Sequence, residues 1–301
     1  MEKVRIDFPP AGGVPSNAVV IQCLSELTPF DAYEMACGKS DPTGLCVWLG
    51  GFLCLELLVR KVEEDNPTGV QSYWSAIRRQ LFPPGCKVLE LGAGAGLVGI
   101  AMSIRGVCSD ITLTDCNDEA LKLIKLNCQS NGCPEVKIER LEWGEGNASK
   151  LGLGGSFETV YATDVLYDLD SLEPLLATAS ELLEERGHFI LSHVPRASID
   201  EGHPVGSDYW CSLESIILQK ASKTGFEPAS FPVCAELKSA REMFLAEMSN
   251  GSGDSASASG MILRPDILFL VNQSGTDCLS QKHTWARMQE AGAAVFVFVK
   301  I

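Results

Sequence analysis

A short apolar segment followed by a glycine-rich turn constrains this chain more than any other feature. Residues Lys87 to Leu91 read KVLEL, and the sequence GAGAGLVG follows them directly. The apolar character of KVLEL predicts a buried strand, and the residues from Leu97 onwards predict the start of a helix. A strand that turns into a helix through glycines lets a ligand lie against bare backbone at the helix N-terminus. The sequence therefore predicts a ligand site at this turn.

The acid inside this strand indicates which kind of ligand the turn binds. Gly94, Gly96 and Gly99 satisfy the dinucleotide pattern G-x-G-x-x-G, which alone is a weak signal. Glu90 precedes Gly92 by two residues, and a carboxylate there would repel the pyrophosphate of a dinucleotide. The same carboxylate would attract an amino group or a sulfonium. We therefore expect a positively charged, nucleotide-like cofactor, and an NAD-dependent oxidoreductase is disfavoured.

An alternation of strand-like and helix-like segments begins at the same point of the chain. The strand-like segments read KVLEL, ITLTD, VKIERL, FETVYATDV and HFILSHV, and helix-like runs at 97–105, 118–130 and 171–185 separate them. Such an alternation predicts an α/β fold with a doubly wound, mostly parallel sheet. Ser171 is expected to start the third helix and Gly187 to stop it. Two further helices, at 45–62 and 73–80, predict a helical extension on the N-terminal side.

The chain is expected to form one domain over residues 1–301, because 301 residues with 46% hydrophobic content suffice for one sizeable core. Residues 1–44 predict an irregular extension, since prolines and paired glycines interrupt them between residues 9 and 15. Residues 45–195 form the predicted cofactor-binding core. Residues 196–301 complete the predicted sheet.

This last part predicts a helix at 210–225, a strand at 226–233 and a terminal strand, AVFVFVKI. An insertion at 235–292 separates the two strands. Its segment 249–260 is rich in serine and glycine, which is typical of a flexible loop. The segment 264–272 predicts an extra strand, or one of the last two strands of the sheet in place of 226–233.

Charge and composition narrow the classes of partner and compartment. The net charge of -15 disfavours nucleic acid and favours basic partners. The longest apolar stretch, 44–59, contains Glu56 and is too short to span a bilayer, and the N-terminus lacks the features of a secretory signal. The twelve cysteines form no C-x-x-C pair and the four histidines no ligand spacing, so we expect reduced thiols, no metal, and a location in the cytoplasm or the nucleus.

Acidic and aromatic residues end three of the predicted strands. Asp115 ends the second strand, where a carboxylate can accept both hydroxyls of a ribose. Glu142 and Trp143 end the third, where an acid and a flat aromatic face could bind an adenine. Asp164 and Tyr167 end the fourth, beside the crevice into which parallel strands point, and are expected to face the substrate.

Together these motifs resemble the seven-strand, class I S-adenosylmethionine-dependent methyltransferases. The matching residues are the E-x-G-x-G-x-G run from Glu90 to Gly96, Asp115, the pair Glu142-Trp143, and the DVLY motif from Asp164 to Tyr167. More narrowly, the chain resembles the methyltransferase-like family 16 group, which contains protein-lysine methyltransferases. Val47-Trp48 is similar to the pair that precedes the core in this group. The resemblance covers roughly residues 45–195.

The resemblance implies S-adenosylmethionine as cofactor and a role for each matching residue. Glu90 and the loop with Gly92, Ala93, Gly94 and Gly96 would hold the methionine end, Asp115 the ribose, and Trp143 with Glu142 the adenine. Trp48 would close over the cofactor. Asp164 and Tyr167 would stand at the acceptor amine, Asp164 also beside the cofactor.

The activity implied by the resemblance is methyl transfer to a lysine of a protein that is basic around its target residue. Most of the rate enhancement would come from positioning the amine for in-line attack. A protein histidine or a small molecule remains an alternative acceptor. A catalytically silent binding module of the same fold is a further alternative.

Overall fold

An eight-stranded sheet organises the computed structural model, which describes residues 1–8, 17–37, 41–59, 77–195, 207–229, 262–263 and 293–301. The strands are β1 (Glu2–Phe8), β2 (Asn17–Cys23), β3 (Lys87–Leu91), β4 (Asp110–Asp115), β5 (Lys137–Arg140), β6 (Phe157–Thr163), β7 (Leu183–His193), β8 (Phe226–Pro228), β9 (Ile262–Leu263) and β10 (Ala294–Lys300). The α-helices are α1 (Pro29–Ala36), α2 (Leu49–Cys54), α3 (Leu97–Ile104), α4 (Asp118–Asn131), α5 (Asn147–Lys150), α6 (Leu172–Leu182) and α7 (Ser207–Lys223).

The order of the strands is β5-β4-β3-β6-β7-β10, and both β8 and β9 pair with the remaining edge of β10. The first five strands in this order, from β5 to β7, run parallel to one another. β10 runs antiparallel to β7, with Ala294 opposite His193. This arrangement confirms the predicted α/β fold with a doubly wound, mostly parallel sheet.

Both faces of the sheet are buried. Alternate residues of the central strands point to opposite faces, so that Val88 and Tyr161 pack on one face and Leu89 and Val160 on the other. Residues of α2, α3 and α4 cover the first face, and residues of α6 and α7 cover the second. Burial of each large apolar side chain contributes roughly 1.5–3 kcal/mol. The sheet is therefore a rigid platform for residues at its carboxyl edge.

The N-terminal segment is more regular than its sequence suggested. β1 and β2 form an antiparallel hairpin with Glu2 opposite Cys23, and α1 follows with a capping box at Thr28 and Asp31. The side chains of Asn127 and Asn131 each exchange hydrogen bonds with a β2 backbone, at Gln22 and Val20. The prediction of an irregular segment over 1–44 was wrong for these elements, because the prolines and glycines fall between the two strands.

A second correction concerns the end of α6. The helix ends at Leu182 and β7 starts at Leu183, so Gly187 lies inside a strand and does not stop the helix. The register between β6 and β7 shifts after the pair Phe157 and Leu183, as in a β-bulge. A side chain at Gly187 would approach Leu183 Cδ2 to 2.9 Å. The absence of a side chain at Gly187 therefore allows the backbone to lie close to Leu183 within this irregular pairing.

The remaining predicted elements agree with the structure or lie outside the described residues, and α5 and β9 were not predicted. α2 continues as a π-helix over Leu55–Val59, the chain is helical at 77–81, and α7, β8 and β10 match predicted elements. The predicted loop at 249–260 and strand at 264–272 are outside the described ranges. None of the helices in those ranges is both long and apolar enough to cross a membrane.

Candidate active site

A cavity of about 300 Å³ opens at the carboxyl ends of β3, β4 and β6. It collects nearly all of the residues singled out from the sequence: Trp48, Glu90, Gly92, Ala93, Gly94, Asp115, Glu142, Trp143, Asp164 and Tyr167 line it. The exception is Gly96, which precedes α3 as its N-cap with a φ of 80°.

The cavity is strongly acidic. Its described lining contains five carboxylates and no lysine, arginine or histidine; the acids are Asp41, Glu90, Asp115, Glu142 and Asp164. Charges of one sign in a cleft with low-dielectric walls raise the local concentration of ions of the opposite sign. The cavity is therefore suited to a cation and unsuited to a phosphate or pyrophosphate.

Glu90 is only 1% exposed, and hydrogen bonds from the protein fix its carboxyl group. Its Oε2 accepts hydrogen bonds from the Tyr161 hydroxyl (2.9 Å) and from Gly99 N (3.2 Å) in the first turn of α3. The Thr163 hydroxyl donates to Oε1 at 3.3 Å. Tyr161 and Thr163 were not identified from the sequence, although their alternation on the strand beside Glu90 could have indicated them.

Burial raises the pKa of the Glu90 carboxyl to about 8, against the opposing effect of these three hydrogen bonds. A carboxyl that is expensive to ionise becomes favourable to ionise when a cation lies beside it. The Glu90 carboxyl is therefore suited to binding an ammonium or sulfonium group. Without such a cation beside it, the ionised form of this carboxyl would be unfavourable above neutral pH.

This placement predicts a pH-dependent stability for the ligand-free protein. Because the folded-state pKa of Glu90 exceeds the ordinary value of 4.5, its contribution is complete below pH 4.5 and is lost as pH rises towards 8. The loss is at most about 1.4 kcal/mol per pH unit. In Glu90→Gln, urea denaturation from pH 5 to 8 should show a flatter free energy of unfolding. Glu145→Gln, at an exposed position outside the cavity, should retain the wild-type slope, and a wild-type slope in Glu90→Gln would contradict the prediction.

The glycine-rich turn packs closely, backbone against backbone, on the segment that contains Gly44. Gly94 has a φ of 55°, and a Cβ built on it would lie 2.8 Å from Gly44 O. Gly44 belongs to a segment before α2 that also contacts Ala120 of α4. Only glycine meets both demands at position 94. The turn and the N-terminal segment therefore close one side of the cavity together.

Asp115 anchors the turn from the end of β4. Its Oδ2 accepts a hydrogen bond from Gly94 N and its Oδ1 one from Asn117 N, both at 2.9 Å. Burial raises the pKa of the Asp115 carboxyl, although these N–H groups favour its charged form. The carboxylate is 7% exposed and lines the cavity, so it can accept further hydrogen bonds from hydroxyl groups of a ligand.

Trp143 lines the cavity beyond the end of β5. A Cβ on Gly92 would lie 3.1 Å from Trp143 Cζ2 and 2.9 Å from Val165 Cγ1, so the indole packs closely over the turn. Glu142 is exposed, and its carbonyl accepts a hydrogen bond from Asn147 Nδ2 at 3.2 Å. An apolar face beside an exposed acid is suited to a flat heteroaromatic group.

Trp48 lies at the N-cap of α2, at the end of the segment that covers the cavity. Its indole Nε1 donates a hydrogen bond to Thr43 O at 2.9 Å. Thr43 also lines the cavity, as do Gly44 and Cys46. Sequence reasoning missed this segment because its residues carry no motif of their own, and Trp48 was identified through the resemblance alone.

Asp164 lines the cavity, but both of its carboxylate oxygens are bonded to backbone. Oδ2 accepts a hydrogen bond from Gly50 N of α2 at 3.1 Å, and Oδ1 accepts one from Val194 N at 3.2 Å. The Ser192 hydroxyl donates to Gly50 O at 2.9 Å and completes the link between α2 and the end of β7. Asp164 therefore links α2 to the end of β7 while it lines the cavity.

Tyr167 lies at the rim of the cavity and is 38% exposed. Its hydroxyl donates a hydrogen bond to Asp41 Oδ2 across 3.3 Å. Partial burial, and after it the charge of Asp41, raise the pKa of the Tyr167 hydroxyl well above its ordinary value, so the group is a donor at neutral pH. Asp41 was not identified from the sequence, because nothing in its surroundings indicates a contact with a residue 126 positions away.

Comparisons with known proteins agree with the chemistry of the cavity. Residues 35–203, more than half of the chain, match a family described as lysine methyltransferase. The protein N-lysine methyltransferase METTL21A of Mus musculus is 33% identical over 112 residues, which are 36% of this chain and 49% of that protein. The EEF1A lysine methyltransferase 3 of Mus musculus is 33% identical over 115 residues, 38% of this chain and 47% of the relative.

A third relative has a different named acceptor. The histone-arginine methyltransferase METTL23 of Homo sapiens is 29% identical over 142 residues, 46% of this chain and 67% of that protein. The chain thus spans about half the length of the two lysine methyltransferases and about two thirds of METTL23.

Proposed function

The chain belongs to the lysine methyltransferase family, as its motifs predicted, and on this premise we propose that it transfers the methyl group of S-adenosylmethionine to a lysine side chain of a protein. The observation that carries the proposal is the acidic cavity at the carboxyl edge of the sheet, which has five carboxylates and no basic residue in its described lining. Both reactants of this transfer, a sulfonium and a protonated amine, are cations that such a cavity attracts.

The residues of the cavity fit the cofactor group by group. The buried carboxyl of Glu90, with its raised pKa, suits the positively charged methionine end beside Gly92, Ala93 and Gly94. Asp115, which lines the cavity, would accept the ribose hydroxyls. Trp143 with Glu142 would hold the adenine, and Trp48 would cover the cofactor. When bound, the cofactor supplies a methyl group on a good leaving group.

The residues of the chain then have to place and orient the acceptor. Asp164 fixes α2, and with it Trp48, against the ends of β6 and β7. Tyr167 stands at the rim, where its hydroxyl or its ring can orient an amine. Positioning of this kind can supply a large part of the barrier reduction when the leaving group is already good. The net charge of -15 favours a target that is basic around the methylated residue.

The unpaired thiols fit a reducing compartment. The nine cysteines whose side chains the structure describes are free. We propose the cytoplasm or the nucleus as the place of action, because free thiols persist in reducing compartments.

Cofactor binding gives the first test of this function. Calorimetry with S-adenosylhomocysteine should show binding, and Asp115→Ala should weaken it by about 1–3 kcal/mol, since the ribose hydroxyls lose a partner. Glu227→Gln, an exposed acid on β8 at the far edge of the sheet, is the matched control and should leave the affinity unchanged. Tight binding of NAD without binding of S-adenosylhomocysteine would contradict the proposal.

The pH dependence of methyl transfer identifies the type of acceptor. A lysine must lose its proton before it attacks, and its unperturbed pKa is about 10.4, so the rate should rise with pH through neutrality. A histidine, with an unperturbed pKa of about 6.5, would give a rate that is flat above about pH 7.5. Initial rates measured with labelled cofactor from pH 6.5 to 9 distinguish the two, and a rate already constant at pH 7.5 would exclude lysine.

An arginine acceptor is the second candidate, and the similarity to METTL23 favours it. A guanidinium is also a cation and also suits the acidic lining. Acid hydrolysis of the labelled product, followed by amino-acid analysis, separates methyl-lysine from methyl-arginine directly.

A further inference from the structure

The cofactor sulfonium is one cation of the proposed reaction, and the acceptor side chain is the second. The five carboxylates of the cavity differ in whether they can bind this second cation. Glu90, Asp115 and Asp164 are each less than a tenth exposed and accept hydrogen bonds from the chain itself. Glu142 and Asp41 are exposed. Because an acceptor side chain has to enter from solvent, a carboxylate that receives it should be one of these two.

Glu142 lies too far from Tyr167 in the order of the strands to bind the acceptor beside it. It follows β5, the edge strand of the sheet, and stands beside the indole of Trp143. Two strands, β4 and β3, separate β5 from β6, which precedes Tyr167. Glu142 is thus on the nucleoside side of the proposed cofactor site, and Asp41 is the remaining exposed acid among the described lining residues.

Asp41 spans the mouth of the cavity. Its carbonyl accepts a hydrogen bond of 2.6 Å from Asn117 Nδ2, on the β4 side. Its Oδ2 accepts the hydrogen bond of 3.3 Å from Tyr167, on the β6 side. Its Oδ1 accepts from Thr43 N at 3.0 Å and from the Thr43 hydroxyl at 2.5 Å. Thr43 therefore fixes the direction of the carboxylate, and Oδ2 is directed to the rim.

The contact between Oδ2 and Tyr167 can be replaced by a stronger one. A neutral hydroxyl at 3.3 Å is beyond the normal range for an O–H···O hydrogen bond, which ends near about 3.0 Å. A hydrogen bond from an ammonium to a carboxylate is shorter and roughly twice as strong as one between neutral groups. An entering ammonium would therefore displace the Tyr167 hydroxyl from Asp41 and pass between the two side chains.

From this geometry we propose that Asp41 is the binding residue for the cationic side chain of the acceptor, with Tyr167 opposite it at the entrance. The inference rests on the proposed function and assigns the acceptor side of the same site. Asp41 receives and aligns the ammonium through Oδ2, whereas Asp164 acts only by holding α2. Since Asp41 stays outside the buried part of the cavity, its loss should affect acceptor binding far more than cofactor binding.

The test uses n-butylammonium as a mimic of the lysine side chain. The chain is saturated with S-adenosylhomocysteine, and n-butylammonium binding is followed by NMR for wild type, Asp41→Asn and the charge-matched control Glu227→Gln. Loss of one contact charge should weaken n-butylammonium on the order of tenfold in Asp41→Asn. The control should bind as wild type does, and all three should bind S-adenosylhomocysteine within about twofold of one another.

Two results would overturn the inference: equal affinity of wild type and Asp41→Asn for n-butylammonium, or no detectable binding to wild type at millimolar concentrations. Labelling of protein acceptors gives an independent readout, in which Asp41→Asn should raise KM with little change in kcat. A reduced kcat at unchanged KM would also contradict a binding role. Failure of the proposed function would appear differently, as an absence of S-adenosylhomocysteine binding or of methyl transfer by wild type.

Discussion

Replacement of Asp164 by alanine is expected to lower both the stability and the methyl transfer of this protein. The substitution leaves Gly50 N and Val194 N without their acceptor, and each buried unsatisfied group costs about 1–3 kcal/mol. Asp164 also has a φ of 59°, which aspartate and asparagine tolerate better than alanine. We therefore expect a loss of about 2–6 kcal/mol in the free energy of unfolding.

Methyl transfer by Asp164→Ala should fall on the order of 10²-fold, because a displaced α2 moves Trp48 and the cavity wall. S-adenosylhomocysteine should still bind within a few fold below the unfolding temperature, since Glu90 and Asp115 keep their places. The matched control is Asp164→Asn, which retains one acceptor oxygen and the left-handed backbone. If Asp164 holds α2, this variant should fall between wild type and alanine.

Two outcomes would contradict the role of Asp164 as the residue that holds α2. The first is wild-type stability and activity in Asp164→Ala. The second is an Asp164→Asn protein that is as stable as wild type yet as inactive as the alanine variant, because a lost charge alone would then explain the effect and the carboxylate would act on the acceptor.

Replacement of Gly94 by valine is expected to abolish cofactor binding. A Cβ at this position would lie 2.8 Å from Gly44 O, and the branched side chain would force the covering segment away from the turn. The backbone φ of 55° adds strain for any residue other than glycine. Calorimetry with S-adenosylhomocysteine should show no measurable affinity for Gly94→Val, while Gly94→Ala should bind weakly.

A matched control separates the strain from the collision. Gly106 has a similar φ of 60°, and a Cβ built on it meets nothing within 4 Å. Gly106→Ala should therefore lose about 1–2 kcal/mol of stability from strain alone and bind the cofactor as wild type does. Normal affinity in Gly94→Val would show that Gly44 and the turn do not close the cavity together.

The parts of the fold that follow from local pattern were predictable from the sequence. Apolar five-residue strands such as KVLEL are buried on both faces of a parallel sheet, and the spacing between them leaves room for one crossover helix each. The hairpin β1–β2 was not predictable in this way, because its stability comes from packing on α4 and from the side chains of Asn127 and Asn131. Those partners lie more than 100 positions away in the sequence.

In the candidate site, too, some features could be predicted from the sequence and others could not. Glu90 lies within β3, Asp115 ends β4 and Trp143 follows β5, so each could be identified at or near the carboxyl end of a strand, where topology fixes the position of a side chain. The bonding of a side chain is not fixed by its place in a motif. Asp164 directly follows β6, yet its carboxylate accepts hydrogen bonds from Gly50 and Val194. Asp41 contacts the site from the covering segment, which has no motif.

The central claim, methyl transfer from S-adenosylmethionine to a protein lysine, is tested most directly by locating the transferred methyl group. The chain is incubated with cell extract and cofactor carrying a labelled methyl group, and the labelled band is analysed by mass spectrometry. We expect label on the side-chain nitrogen of a lysine in a protein, and none in a parallel incubation with Gly94→Val. A wild-type protein that binds S-adenosylhomocysteine but labels no protein, or that labels only a small molecule or a residue other than lysine, would contradict it.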